Sequence, residues 1–256
     1  SGSQAAGSLQ FLVNGAWNKR YQVGAAAMNG VIAATLARTD FIGSSDSVEG
    51  KHGLLVGYTN DPHPDKAVAG LGTTYETLKI GVKPYPSCRY THAAIDALIA
   101  MRREHNLTPD QIRKVEIGLH RNGITLTGDA ATKRHPTSVV GGQFSMFFTG
   151  AIALDQGHFG WDDYDRLGDK AIDALADKFD VVQDDRLEVG RTHPFGARVS
   201  LTTDDGPHER LYPDPSGAPT SFPNAQATHQ KFLTFAPPVL HKRAAPPAAA
   251  HHPPGR

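Results

Sequence analysis

The hydrophobic period of this chain switches between helix-like and strand-like over one short stretch, and that switch limits what it can fold into. Over residues 92–105, Ile95, Leu98, Ile99 and Arg102 recur at helical spacing and predict an amphipathic helix. Over residues 114–120, Val115, Ile117 and Leu119 alternate with polar neighbours and predict a half-buried strand. Residues 197–203 alternate again, at Ala197, Val199 and Leu201, and run into Asp204-Asp205-Gly206, which has the make-up of a turn. Mixed periods of this kind define an α+β domain. Two further helices are expected between the strands. One covers residues 143–154 and is apolar; the other covers 169–180, with Ile172, Leu175 and Phe179 on one face. Thr108-Pro109-Asp110-Gln111 has the form of a capping box with proline at the first helical position, and predicts a single turn. Residues 204–220 are rich in turn formers and show no period.

Ahead of this region the texture differs. Residues 24–38 read GAAAMNGVIAATLAR, a helix of mostly small residues. Such a helix is expected to pack close against its neighbours, and Gly30 costs it about 1 kcal/mol of helix propensity. Short helical pieces are expected over 65–71 and 75–79, after the turn at Asp61-Pro62-His63-Pro64. At the other end the chain turns Pro/Ala/His-rich from Ala236, and residues 244–256 are expected to be a disordered tail. No internal repeat is present.

Charge and composition remove several function classes. Lys plus Arg is 26 and Asp plus Glu is 26, so no basic field exists to hold nucleic acid or an anionic membrane non-specifically. The longest apolar run, near 144–154, is broken by Ser, Thr and Gly and is too short to span a bilayer. A single cysteine, Cys88, leaves no internal disulfide framework and suits a reducing, cytoplasmic compartment. The opening SGSQAAGSLQ lacks the basic and apolar regions of a signal peptide and lacks an initiating methionine, so the chain is expected to be a piece of something longer. There is no P-loop and no G-x-S-x-G elbow, and Gly70-Leu71-Gly72 has neither a third glycine nor a strand before it. The 13 histidines are scattered and Cys88 has no cysteine partner, so no structural metal site is expected.

Two clusters stand out as candidates to carry chemistry. In NGAWNKRYQVGAAAMNG, Trp17, Lys19, Arg20, Tyr21 and Gln22 crowd together before the small-residue helix, with Gly24 read as a tight backbone turn. A lysine held against aromatics suits proton transfer; the other reading is a surface basic pair beside a core tryptophan. In GVKPYPSCRYTH, Pro84 and Pro86 fix an extended lead-in, and Ser87, Cys88 and Arg89 precede a helix that is expected to start near Thr91. An arginine fork beside a helix N-terminus can take a carboxylate, and His92 titrates near neutrality when unperturbed. The other reading has Thr91 capping the helix, Arg89 in a surface ion pair and His92 as a satisfied core histidine. Cys88 is most simply a buried small hydrophobe. Glu49, Lys51 and His52 sit in a glycine-bounded turn and read as a solvated loop. Gln143 and Ser145 stand at a helix start, where capping explains them as well as chemistry does.

The segments GSLQFLVNGAWNKRYQVGAAAMNGVIAATLA, EGKHGLL, KPYPSCRYTHAAIDAL and QFSMFFTGAIAL, in this order, resemble the MmgE/PrpD family, from Ser1 to about Leu240. That family includes 2-methylcitrate dehydratase, cis-aconitate decarboxylase and iminodisuccinate epimerase. Its members are roughly twice this length, with a large helical domain and a smaller α+β lid. The resemblance implies that residues 1–78 close the helical domain, 79–210 form the lid, 211–243 return to the helical domain and 244–256 are tail. It implies a site between the domains, free of cofactor and metal, that moves a proton beside a carboxylate of a small di- or tricarboxylate. It also implies a homodimer. By position, Lys19 matches the family's active-site lysine, His92 a lid histidine and Arg89 a carboxylate binder. Ser87, Arg20 and Gln22 complete the candidate set, Gln22 standing where many members have histidine. The reaction expected first is 2-methylcitrate dehydration; decarboxylation of cis-aconitate, epimerisation, a non-catalytic fragment or a plain carboxylate-binding module are the alternatives.

Overall fold

The computed structural model describes residues 7–188, 195–236 and 240. The chain forms two compact units. One comprises residues 1–11 and 16–80; the other comprises 12–15 and 81–256. The tail expected over 244–256 lies outside the described residues.

The first unit is helical. Its main element is α1 (Asn18–Ala37), followed by the short helices α2 (Leu54–Tyr58) and α3 (Pro64–Val68) and a 3-10 turn at Glu76–Lys79. α1 starts six residues earlier than the small-residue run predicts, because Asn18 through Val23 continue the helix without a break. Gly24 is therefore a helical residue and makes no tight turn. Close packing is not realised either. No residue of α1 is buried, and a Cβ added at Gly24 or Gly30 would meet nothing within 4 Å.

The second unit is α+β. In chain order it contains α4 (Arg89–Glu104), β1 (Ile112–Leu119), α5 (Val139–Gln143), α6 (Met146–Gln156), α7 (Lys170–Ala176), β2 (Phe179–Gln183), β3 (Ala197–Thr203), β4 (Gly206–Tyr212) and α8 (Ala225–Phe235). The strands form one mixed sheet in the order β2-β1-β3-β4. β1 and β2 are parallel, with Ile117 opposite Val181, so α5, α6 and α7 make the crossover between them. β1 and β3 are antiparallel, and β3 and β4 form a hairpin whose two-residue loop is Asp204-Asp205. Gly206, at φ +122°, closes that turn where a side chain would be strained.

Burial explains the periods. Val115, Ile117, Leu119, Val199 and Leu201 are fully buried and point into one core with Ile95, Leu98 and Met101 of α4 and Met146, Phe147 and Phe148 of α6. The opposite sheet face is charged. Arg198 there bonds Asp184 at 2.7 Å and Glu116 at 2.6 Å, and Gly118 leaves the room, since a Cβ would come within 2.9 Å of the Asp184 carboxylate.

Three expected elements change. The helix over 143–154 is two helices, because Ser145 leaves helical geometry to cap α6 at Phe148 N, 2.9 Å. The helix over 169–180 ends at Ala176, and Phe179 opens β2, whose Val181-Val182 pair suits a strand. Within 204–220, residues 206–212 are the edge strand β4, which is polar enough to hide its alternation. Residues 12–15 lie against the α+β unit. Lys133 Nζ donates to the Leu12 carbonyl, and a Cβ on Gly15 (φ +64°) would clash with Ser138 Oγ at 2.3 Å.

Candidate active site

The proline-braced lead-in of residues 81–88 is held at both ends. Val82 N donates to Gly217 O at 2.8 Å and Cys88 N to Gln143 O at 2.8 Å. Tyr164 Oη donates to Pro86 O at 2.9 Å, and Lys83 Nζ to Ser87 O at 3.0 Å. Extended geometry persists through Cys88 (φ −62°, ψ 137°), and α4 begins immediately after it. Arg89 is thus the first residue of the helix, not the last of the lead-in. Thr91 does not cap; its Oγ1 donates to Cys88 O at 2.8 Å and shares a 2.8 Å bond with buried Ser87 Oγ. Cys88 is half-buried, not buried.

Arg89 spends one of its five donors on Val82 O, at 3.0 Å, and its guanidinium lies 5.9 Å from the Phe195 ring. Burial lowers its pKa, opposed by the charges of Asp96 and Asp214. It still carries its charge, because a guanidinium starts so high.

His92 departs most from expectation. It is 0 % exposed. Nε2 lies 3.4 Å from Ser87 O, an acceptor, so the ring proton sits on Nε2, and Nδ1 is a bare lone pair without a hydrogen-bond partner among the described residues. Tyr85 packs edge-to-face on the ring, with centroids 5.3 Å apart. Burial, and then the charges of Arg89, Lys83 and Lys231, push its pKa down to about 3. His92 is therefore neutral at physiological pH and does not present a base that titrates near neutrality. Behind it, Tyr85 Oη donates to Asp96 Oδ1 at 2.7 Å and Ser216 N to Asp96 Oδ2 at 2.7 Å. Burial raises the Asp96 pKa, against the hydrogen bonds from Ser216 and Tyr85 and the Arg89 charge.

In the helical unit, Lys19, Arg20 and Gln22 share the first turns of α1. Lys19 is exposed. Arg20 lies over Trp17, 5.2 Å from the ring centroid, and Gln22 Nε2 donates to Ser8 O at 2.8 Å. The six candidate residues thus form two sets, one per unit, each drawn together by a helix start. Glu49, Lys51 and His52 lie in the expected turn, closed by Gly50 N to Asp46 O at 2.7 Å. Buried Ser145 is spent on capping and on a 2.6 Å bond to Lys133 O. Sequence reasoning missed Tyr85 and Asp96. Both were in view, Tyr85 between the two prolines and Asp96 beside the apolar stripe of α4, but nothing local showed that burial pairs them. Among the described residues, no group of three or more His, Cys, Asp or Glu is placed to hold a metal, and no helix is long and apolar enough to cross a membrane.

The α+β unit thus has Arg89 opening a helix, and the helical unit has Lys19 and Arg20 in the first turn of its main helix. The chain belongs to the MmgE/PrpD family: residues 85–249 match its C-terminal domain and residues 1–67 its N-terminal domain. It is similar to a cis-aconitate decarboxylase-like protein of Aspergillus oryzae, 28% identical over 202 residues, covering 73% of this chain and 42% of the relative. It is also similar to a cis-aconitate decarboxylase of Aspergillus terreus, 28% identical over 238 residues, covering 85% of this chain and 48% of the relative. The chain thus spans half or less of the length of these curated relatives.

Proposed function

We propose that this chain is part of a lyase that decarboxylates cis-aconitate or a closely related tricarboxylate. The observation that carries the reading is the pair of family-domain matches joined to relatives named for that reaction. It moves 2-methylcitrate dehydration from first choice to second. The step common to both is proton transfer beside a carboxylate. In decarboxylation, the bond between the methylene carbon and its carboxylate breaks and carbon dioxide leaves. The electron pair forms a terminal C=CH2, and the former vinyl carbon takes a proton.

Lys19 is the proposed proton donor, since its ammonium is exposed on the first turn of α1. Arg89 is the proposed carboxylate anchor, with donors left after Val82 O. Gln22 and Arg20 orient substrate. Neutral His92 and Ser87 hold the lead-in from behind in this arrangement, so His92 acts by position and by its uncharged state. A developing carbanion gains most from such fixed charges and donors where water is excluded. The proposed organisation keeps residues 1–78 as helical domain, 79–210 as lid and 211–243 as return segment, in a homodimer; light scattering that returns a monomer rules out the homodimer.

Proton NMR in D2O with cis-aconitate tests the reaction. The expected product carries a terminal methylene and one deuteron on its saturated carbon. Hydration or dehydration products from cis-aconitate or 2-methylcitrate, without loss of carbon dioxide, contradict decarboxylation.

A further inference from the structure

Within the α+β unit, α8 and the loop before it stand across from the lead-in and leave a cleft of about 690 Å³, a size usual for small-molecule sites. Its walls include Val82, Pro84, Tyr85, Ile99, Phe159 and Phe235. Most of its polar side chains are already spent. Ser221 Oγ donates to Pro215 O, Thr228 Oγ1 to Asn224 O and Thr234 Oγ1 to Gln230 O, at 2.9, 3.1 and 2.9 Å. Asn224 Oδ1 caps α8 by accepting from Ala227 N at 2.8 Å. Tyr85 Oη is held by Asp96, and His158 faces Asp163 at 3.5 Å.

Charge separates this cleft from a polycarboxylate seat. No Asp or Glu lines it, and Lys231 is the one Lys or Arg among its described lining residues. Lys231 has no ion-pair partner among the described residues. Lys83 and Arg89 lie outside the lining, and the Asp96 and Asp214 charges oppose Arg89. One ammonium in an apolar wall suits one carboxylate. A tricarboxylate would leave two charges desolvated and unpaired, which is strongly unfavourable.

We propose that this cleft binds a small organic monoanion with an apolar body, of the medium-chain or aryl carboxylate class, its carboxylate on Lys231 Nζ and its chain along Ile99, Phe159 and Phe235. Lys19, Arg89 and His92 are not among its lining residues.

The test is calorimetric titration of the full chain with decanoate, below its micelle threshold, and with decanol. Saturable one-to-one binding of decanoate is expected, with affinity at least ~10-fold weaker in Lys231→Glu, the scale of one lost charge-assisted contact. Decanol binding is expected to change little in that variant. Ala227→Trp, which fills the cleft from exposed α8, is expected to abolish binding of both without altering the thermal transition. No saturable binding of decanoate, or equal affinity in wild type and both variants, overturns the proposal. So does cis-aconitate that binds more tightly than decanoate and is lost in Lys231→Glu. Turnover of cis-aconitate, measured separately, reports on the lyase reading alone.

Discussion

α6 and α1 are both apolar helices, and they end in opposite surroundings. α6 buries every residue from Met146 to Leu154, against α4, α7 and Phe179 of β2. α1 buries none, and Val23, Met28, Val31 and Ile32 stand between 48 and 71 % exposed. These positions spread widely around the helix, a pattern found in helices enclosed on several sides. The contrast teaches that apolar sequence sets a demand for burial, and tertiary neighbours decide whether it is met. The α+β unit meets its own demand; the helical unit does not meet that of α1 within the described residues.

The sharpest break in this comparison comes from paired truncations. Phe147→Ala, at a 1 % exposed core position, is expected to cost the α+β unit about 3–5 kcal/mol. Val31→Ala on α1 is expected to cost no more than about 0.5 kcal/mol. Urea midpoints followed by near-UV signals and fluorescence measure both. Equal costs would mean that α1 is packed in solution in a way the structure does not show.

Next in size is a backbone test. Gly217 sits at φ +78°, and a Cβ there would come within 1.9 Å of Val82 O, the joint that pins the lead-in. Gly217→Ala is expected to destabilise the α+β unit by at least about 2 kcal/mol. Gly30→Ala in α1, where the space is open, is expected to stabilise its helix by up to about 1 kcal/mol. Thermal unfolding of the two variants gives the sign of each.

A further test concerns pH. The folded His92 pKa, about 3, lies below its ordinary value of 6.5. Below pH 6.5 the unfolded chain takes up a proton that the folded chain refuses until about pH 3. Stability therefore falls as pH drops through that window, by up to about 1.4 kcal/mol per pH unit from this group. His92→Gln is expected to lose this slope relative to wild type. Identical slopes would place His92 in contact with water.

Much of the α+β unit was legible in the sequence because its elements are one-faced. Alternation at Val115, Ile117 and Leu119, and at Val199 and Leu201, located β1 and β3. β2 and β4 escaped for a physical reason. Phe179 completes a helical stripe with Ile172 and Leu175 as easily as it opens a strand, and β4, an edge, alternates half-buried His208 and Arg210 with exposed Glu209 and Leu211. α8 lies in the segment given only as a return to the helical domain, and Asn224 ahead of AQATHQKFL is the N-cap signal that marks it. The site divided along the same line. The lead-in and the residues around it were visible as a motif, because prolines and an arginine at a helix mouth are local features. His92's burial and its pairing with Tyr85 depend on the core, and no local pattern reports the core's depth.

The central claim is that Lys19 transfers the proton in a cis-aconitate-type decarboxylation. Turnover of cis-aconitate by Lys19→Ala, in an active protein that includes this chain, tests it most directly. A loss of at least about 100-fold, the scale of a general acid–base group, is the predicted result. A loss under about tenfold, short of that scale, would contradict it.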